Sequence, residues 1–198
     1  MRTCKKNIIS LQGAWVLFLL CFSFTAPAQT TEQLDADEGF QGLQLMEDMD
    51  TISDFISIFN DPDLLNSKYE YAMLNSQFSY TGSKYQSFAG VPVKKVFLTA
   101  SGVYITEIKI VLAHDSAVYR ALDSLYGKPT VPFKVDPESE NKKAYWSFCI
   151  WQGKNVRLVV TAKKYKSPKD AEKSEVPEYI YLKYTSLEAE RFSRGQQY

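Results

Sequence analysis

Hydrophobic and polar positions alternate with period two through much of this chain, and the clearest case is residues 94–113, "KKVFLTASGVYITEIKIVLA". Two β-branched runs flank Ser101-Gly102, and glycine supplies the positive φ of a tight turn, so the stretch predicts a hairpin. The same period runs through "AYWSFCIW" (144–151) and "VRLVVTA" (156–162), separated by the turn "QGKN". Trp146, Phe148 and Ile150 fall on one side of the first strand and Val156, Leu158 and Val160 on one side of the second, which predicts a second hairpin with one buried face. "EYIYLKYT" (178–185) closes the series as a last strand. Tyrosine-rich residues 68–93 alternate loosely, with "TGS" and "AGVP" as breaks between strands.

Helical spacing occurs twice. Ile52, Phe55, Ile56 and Phe59 recur at i, i+3, i+4 and i+7, with Asp50 or Thr51 as cap and Asn60-Asp61-Pro62 as terminator. Val118, Leu122 and Leu125 form a similar stripe behind Asp115 or Ser116. Phe40, Leu43 and Leu45 mark an extended stretch where the ordered chain begins. The fold class is therefore α+β, a mainly antiparallel sheet with two amphipathic helices packed on it. Pro62 and Pro129 follow the two helices at similar offsets, which raises the idea of two related halves.

The ends read differently. Arg2, Lys5 and Lys6 precede an apolar run, Ala14 to Phe24, and then Ala26-Pro27-Ala28, the pattern of a secretory signal peptide cleaved near Ala28/Gln29. The apolar run is short for a membrane span, so the mature chain is expected not to cross a membrane. Residues 29–38, polar and acidic, read as a flexible mature end; 39–185 as a single domain; 186–198 as a tail with at most a helical turn. The lysine-rich stretch 163–177 also carries Asp170, Glu172 and Glu175 and reads as a solvated connection.

Composition narrows the function classes. The chain balances 23 basic against 23 acidic side chains, and loss of the leader leaves a slight acidic excess, which points away from nucleic acid. Cys4 and Cys21 leave with the leader, so Cys149 remains alone inside an apolar strand, a small buried hydrophobe or, less in keeping with that setting, half of an intermolecular disulfide.

Few residues offer chemistry. "LYGKPT" (125–130) resembles a phosphate-binding loop, but Leu122 stands where that loop needs its first glycine and Pro129 where it needs Ser or Thr. Gly127 and Pro129 read instead as the end of a helix, with Lys128 at its negative pole. His114 is the sole histidine, which excludes a multi-histidine zinc site; no cofactor or metal motif is recognised. A cysteine nucleophile would need Cys149 beside His114. Paired acids such as Glu138 with Glu140, or Glu47 with Asp48 and Asp50, lie in loops or at a helix start. Trp151 and Tyr145 fall on the opposite side of their strand from Trp146, and a ligand-binding Trp-Tyr platform is one reading of them; a second layer of the protein covering that side is the other.

The succession "FQGLQL", "FAGVPVKKVFLTASGVYITEIKIVL", a helix closed by "LYGKPT", and "YWSFCIWQGKNVRLVVTA" resembles uncharacterised secreted bacterial envelope proteins in which a helix ends in Tyr-Gly-Lys-Pro. In layout it is more distantly similar to the helix-plus-sheet domains of the β-lactamase-inhibitor and outer-membrane-assembly-lipoprotein type. That resemblance implies a protein that binds another envelope protein and catalyses nothing; it transfers no functional residues, and the lipoprotein cysteine and the inhibitor disulfides have no counterpart here. Three readings follow: a periplasmic or secreted binding or adaptor protein, a glycan or small-ligand module at Trp151 and Tyr145, and a hydrolase.

Overall fold

The computed structural model describes residues 31–64, 75–137, 144–172 and 178–195. The residues read as a leader, 1–28, therefore lie outside the described residues, as do Glu138 and Glu140. The architecture is α+β. Helix α1 (Thr31–Asp37) leads into a short hairpin, β1 (Gly39–Phe40) and β2 (Leu43–Gln44). Next come β3 (Phe55–Ser57), β4 (Phe78–Tyr80), β5 (Ser87–Phe88), β6 (Val91–Ser101) and β7 (Tyr104–Ala113). After them follow α2 (Ser116–Tyr126), β8 (Val131–Val135), β9 (Ala144–Gln152), β10 (Val156–Tyr165), α3 (Pro168–Glu172), β11 (Tyr179–Ser186) and α4 (Leu187–Gly195).

One sheet runs in the order β3-β4-β6-β7-β11-β10-β9-β8, with β5 beside β6. Every pairing among the described residues is antiparallel. The β6–β7 hairpin forms as its pattern predicts: Ser101 faces Tyr104, and Gly102 takes φ 62° in the turn. The β9–β10 hairpin turns through Gly153, Lys154 and Asn155, and β11 inserts between β10 and β7. That insertion joins the two hairpins into one surface.

The sheet has an inner face, covered by α1, α2 and the β1–β2 hairpin. Leu34, Phe40, Leu43, Val118, Leu122 and Tyr126 pack there against Leu98, Ile108, Ile110, Leu158 and Leu182 from the strands. In α2 the Asp115 carboxylate accepts from the Ala117 N–H at 2.7 Å, and Val118, Leu122 and Tyr126, four apart, form the buried stripe. Leu125 lies partly buried at its border. Gly127 ends the helix with φ 71° and ψ −161°, a conformation open to glycine alone. Lys128 pairs with Asp123.

Four expectations are corrected. The helical spacing over residues 52–59 does not produce an α-helix: Phe55–Ser57 is β3, paired to β4, a single 3-10 turn follows at Ile58–Asn60, and Phe59, assigned to the buried stripe, is 91% exposed. Asp54 at φ 67° turns the chain out of a helical path, and the Phe55 ring settles 5.0 Å from Tyr80 across the strands. Sheet pairing thus overrides a local period. The idea of two halves does not depend on that helix: α1 precedes β3, β4, β6 and β7, α2 precedes β8 to β11, and the two sets of four strands meet in the sheet at β7 and β11.

The second correction concerns residues 31–37, read as flexible and found as α1. Leu34 is fully buried, and the Asp35 carboxylate accepts three backbone N–H groups of the β9–β10 turn: Lys154 at 2.6 Å, Asn155 at 2.8 Å and Val156 at 2.9 Å. The third is the tail, where α4 runs nine residues behind a Ser186 cap. The fourth is the side of β9 that is buried. Cys149 and Trp151 lie on the inner face beside Val160 and Leu158, while Trp146, Phe148 and Ile150 face outward and stay partly exposed.

Candidate functional site

The outer face of the sheet is where charge and partly exposed apolar surface meet. Cross-strand register orders it into rows. One row is polar: Thr99 of β6, Glu107 of β7, Thr185 of β11, Arg157 of β10 and Gln152 of β9. The next row holds Phe97, Lys109, Lys183, Val159, Ile150 and Val131. A third holds Lys95, Val111, Tyr181, Thr161, Phe148 and Lys134.

Near β6 and β7 this face is packed. Phe97 and Val111 are fully buried with Leu64, Tyr179 and Tyr181. The buried Asp61 carboxylate takes the Lys95 ammonium at 2.6 Å and the Ser79 hydroxyl at 2.5 Å, so its charge is both paired and hydrogen-bonded. Lys109 is 8% exposed, bonds Ser76 at 3.2 Å and pairs with Glu107 at 3.4 Å; burial lowers its pKa, against the pull of Glu107. Lys183 reaches the other Glu107 oxygen at 3.4 Å.

Toward β8 the face opens. Phe148, Ile150 and Val159 are half-buried, Trp146 packs 5.7 Å from Tyr181, and Lys134, Lys163 and Lys183 stand at the border of this apolar surface. The Lys163 ammonium lies over the Tyr165 ring at 5.0 Å. β8 itself is an edge strand, where Pro132 and Lys134 discourage pairing with another strand.

The residues singled out from sequence are not assembled into a site. Trp151 is 1% exposed on the inner face, and its indole N–H donates to the Gly127 carbonyl at 2.8 Å. It ties the end of α2 to β9 and has no ring face for a ligand, so the Trp151–Tyr145 platform does not exist; Tyr145 is half-buried on the same side. Cys149 is fully buried, and burial, then the nearby Asp123 charge, push its thiol up to about 12. His114 follows β7, and β11 and β10 intervene before β9. At roughly 4.8 Å per strand that is about 14 Å, well beyond hydrogen-bond reach of Cys149. A cysteine–histidine pair is excluded on geometry, and a buried thiol cannot form an intermolecular disulfide.

Glu47 lines a small polar cavity of about 170 Å³ with Asp54, Lys84, Tyr80 and Tyr85. Its charges are of both signs, and Asp48 is spent capping the turn at Met49–Thr51 through the Asp50 N–H. Among the described residues no three His, Cys, Asp or Glu side chains gather as a metal site, and no helix is long and apolar enough to cross a membrane.

No protein-family model, curated protein or solved structure matches this chain. The residues that sequence reasoning missed, Phe148, Ile150 and Val159 as an outward surface, carry the same apolar alternation as their inward neighbours. Only the register with β10 tells the two sides apart.

Proposed function

We propose that this is an exported, non-enzymatic binding protein of the bacterial envelope, which engages a partner protein through the open part of its outer sheet face. The observation that carries the reading is the asymmetry of the sheet. Its inner face is closed by α1, α2 and the β1–β2 hairpin, whereas Trp146, Phe148, Ile150 and Val159 line an outer surface that stays partly exposed. Lys134, Lys163 and Lys183 border that surface, so the matching partner surface is apolar at its centre and rimmed by carboxylates.

The test is capture with the mature chain on a native envelope extract, wild type against Ile150→Asp, at low and high salt. The reading predicts one near-stoichiometric protein that is lost with Ile150→Asp and weakened by salt, while the variant melts like wild type because the substitution lies on the outer face. Equal retention by the two proteins, or recovery of the bare chain in both, overturns it.

A further inference from the structure

We infer that α1 is a removable plug in a peptide-binding site, and that the site takes in its place a helical segment of another protein with the Leu-Asp-x-Asp spacing of Leu34, Asp35 and Asp37. The site lies on the inner side of the sheet, away from the outer face proposed above, and stands whether or not that face binds.

The receptor is the β9–β10 turn. Its N–H groups at Lys154, Asn155 and Val156 converge on the Asp35 carboxylate at 2.6, 2.8 and 2.9 Å. Successive amides aimed at one point form an anion-binding nest. Gly153 is part of it, since a Cβ there would collide with the carboxylate. Contacts that do not involve α1 hold the nest from behind. The Gly153 N–H donates to the Val156 carbonyl at 2.9 Å, the Leu187 N–H to the Asn155 carbonyl at 2.8 Å, and Arg191 to the Lys154 carbonyl at 3.1 Å. Leu34 enters the core where α1 meets α2, β9 and β10. Those three are joined without α1, by the β9–β10 ladder and by the Trp151 bond to Gly127. Asp37 meets the hydroxyl of Tyr126, itself bonded to the buried Tyr184.

The occupant is held far less firmly than the site is built. α1 has seven residues, too few for a helix to persist alone, and buries only Leu34, while Glu32, Gln33 and Ala36 are exposed. Such a segment opens locally, without global unfolding, and leaves behind a preorganised site. α1 also defines what replaces it: a leucine for the core, an aspartate next to it for the nest, and a second acid two positions on for Tyr126. A segment without the first acid leaves three converging N–H groups with no acceptor, which selects against it.

The probe is the capped peptide TEQLDAD, residues 31–37, titrated into the ¹⁵N-labelled mature chain. Saturable shifts at Lys154, Asn155 and Val156 are expected in Asp35→Ala, whose α1 no longer engages the nest. In wild type the tethered α1 competes, and apparent affinity is expected to be at least about tenfold weaker. A peptide with asparagine for its first aspartate should bind Asp35→Ala about tenfold more weakly, for want of charge-assisted bonds. Adding Gly153→Ala to Asp35→Ala puts a methyl where the carboxylate sits and is expected to abolish the shifts in a folded protein. Amide exchange on wild type needs no variant: the three turn amides are expected to exchange by local opening, with little dependence on denaturant. The inference is overturned by any of three results: a folded Asp35→Ala without saturable shifts, equal binding of the asparagine peptide, or wild-type turn amides that exchange only with global unfolding.

Discussion

Asp35 holds α1 to the β9–β10 turn, and replacing it with alanine tests whether α1 is part of the fold or an ornament on it. Three backbone N–H groups converge on this one carboxylate, at 2.6, 2.8 and 2.9 Å. Lys154 and Asn155 are exposed, so water replaces much of what their bonds contribute; Val156 is 2% exposed, and its N–H is left without an acceptor. An orphaned buried donor costs about 1–3 kcal/mol, and the charge-assisted bonds add to that. A seven-residue helix has no stability of its own, so loss of the latch also releases Leu34, fully buried beneath it. The expected total is about 3 kcal/mol, a fall in melting temperature of roughly 6–12 °C for a chain of this size.

Thermal melts followed by circular dichroism read the first number, and amide exchange at Lys154, Asn155 and Val156 reads the cause. Gly153 supplies a second arm. A Cβ there would collide with the Asp35 carboxylate, so Gly153→Ala displaces the same latch. In the Asp35→Ala background the added methyl meets no carboxylate, and the double variant should be less destabilised than the two singles together by more than about 0.5 kcal/mol. An Asp35→Ala protein that melts within about 1 °C of wild type, with unchanged exchange at the turn, refutes the reasoning.

Two further outcomes follow from buried titratable groups. The Cys149 thiol, pushed up to about 12 by burial and then by Asp123, should react with a thiol reagent at pH 8 only after denaturation; rapid labelling of the native protein would contradict its placement. The His114 imidazole is held below its usual 6.5 by burial and then by Lys164, with Glu178 and Asp115 offsetting part of this. The unfolded chain therefore takes up this proton first on acidification. Stability from this group is full above pH 6.5 and is lost as the pH falls through the folded-state value, a slope that His114→Gln should remove. The sole imidazole can be titrated by proton NMR in untagged protein, native and in urea; a native midpoint at or above the unfolded one would reverse the sign.

Legibility differed from element to element for physical reasons. The β6–β7 hairpin and α2 were plain because each carries its own signals: Gly102 for the turn, Asp115 and Gly127 for the helix ends, and a single period between them. Residues 52–59 misled because Ile52, Phe55, Ile56 and Phe59 satisfy a helical period by coincidence of short spacing, while β3 draws its stability from β4, whose identity no local window contains. α1 was invisible because its composition is that of a solvated tail; Leu34 docks it into the core, and Asp35 ties it to a turn more than a hundred residues away.

The open surface was misassigned for a related reason. β9 is apolar on both sides, so alternation separates its residues into two sets without saying which set is covered. The choice between Trp146, Phe148, Ile150 on one side and Cys149, Trp151 on the other belongs to the register with β10 and to the side on which α2 returns. The chain by itself thus determined the α+β class, the hairpins and α2, since these rest on propensities and turns acting over a few residues. Which face is closed, what α1 does and where a partner or a ligand can approach were decided only by the tertiary structure, because they depend on contacts between segments far apart in the chain.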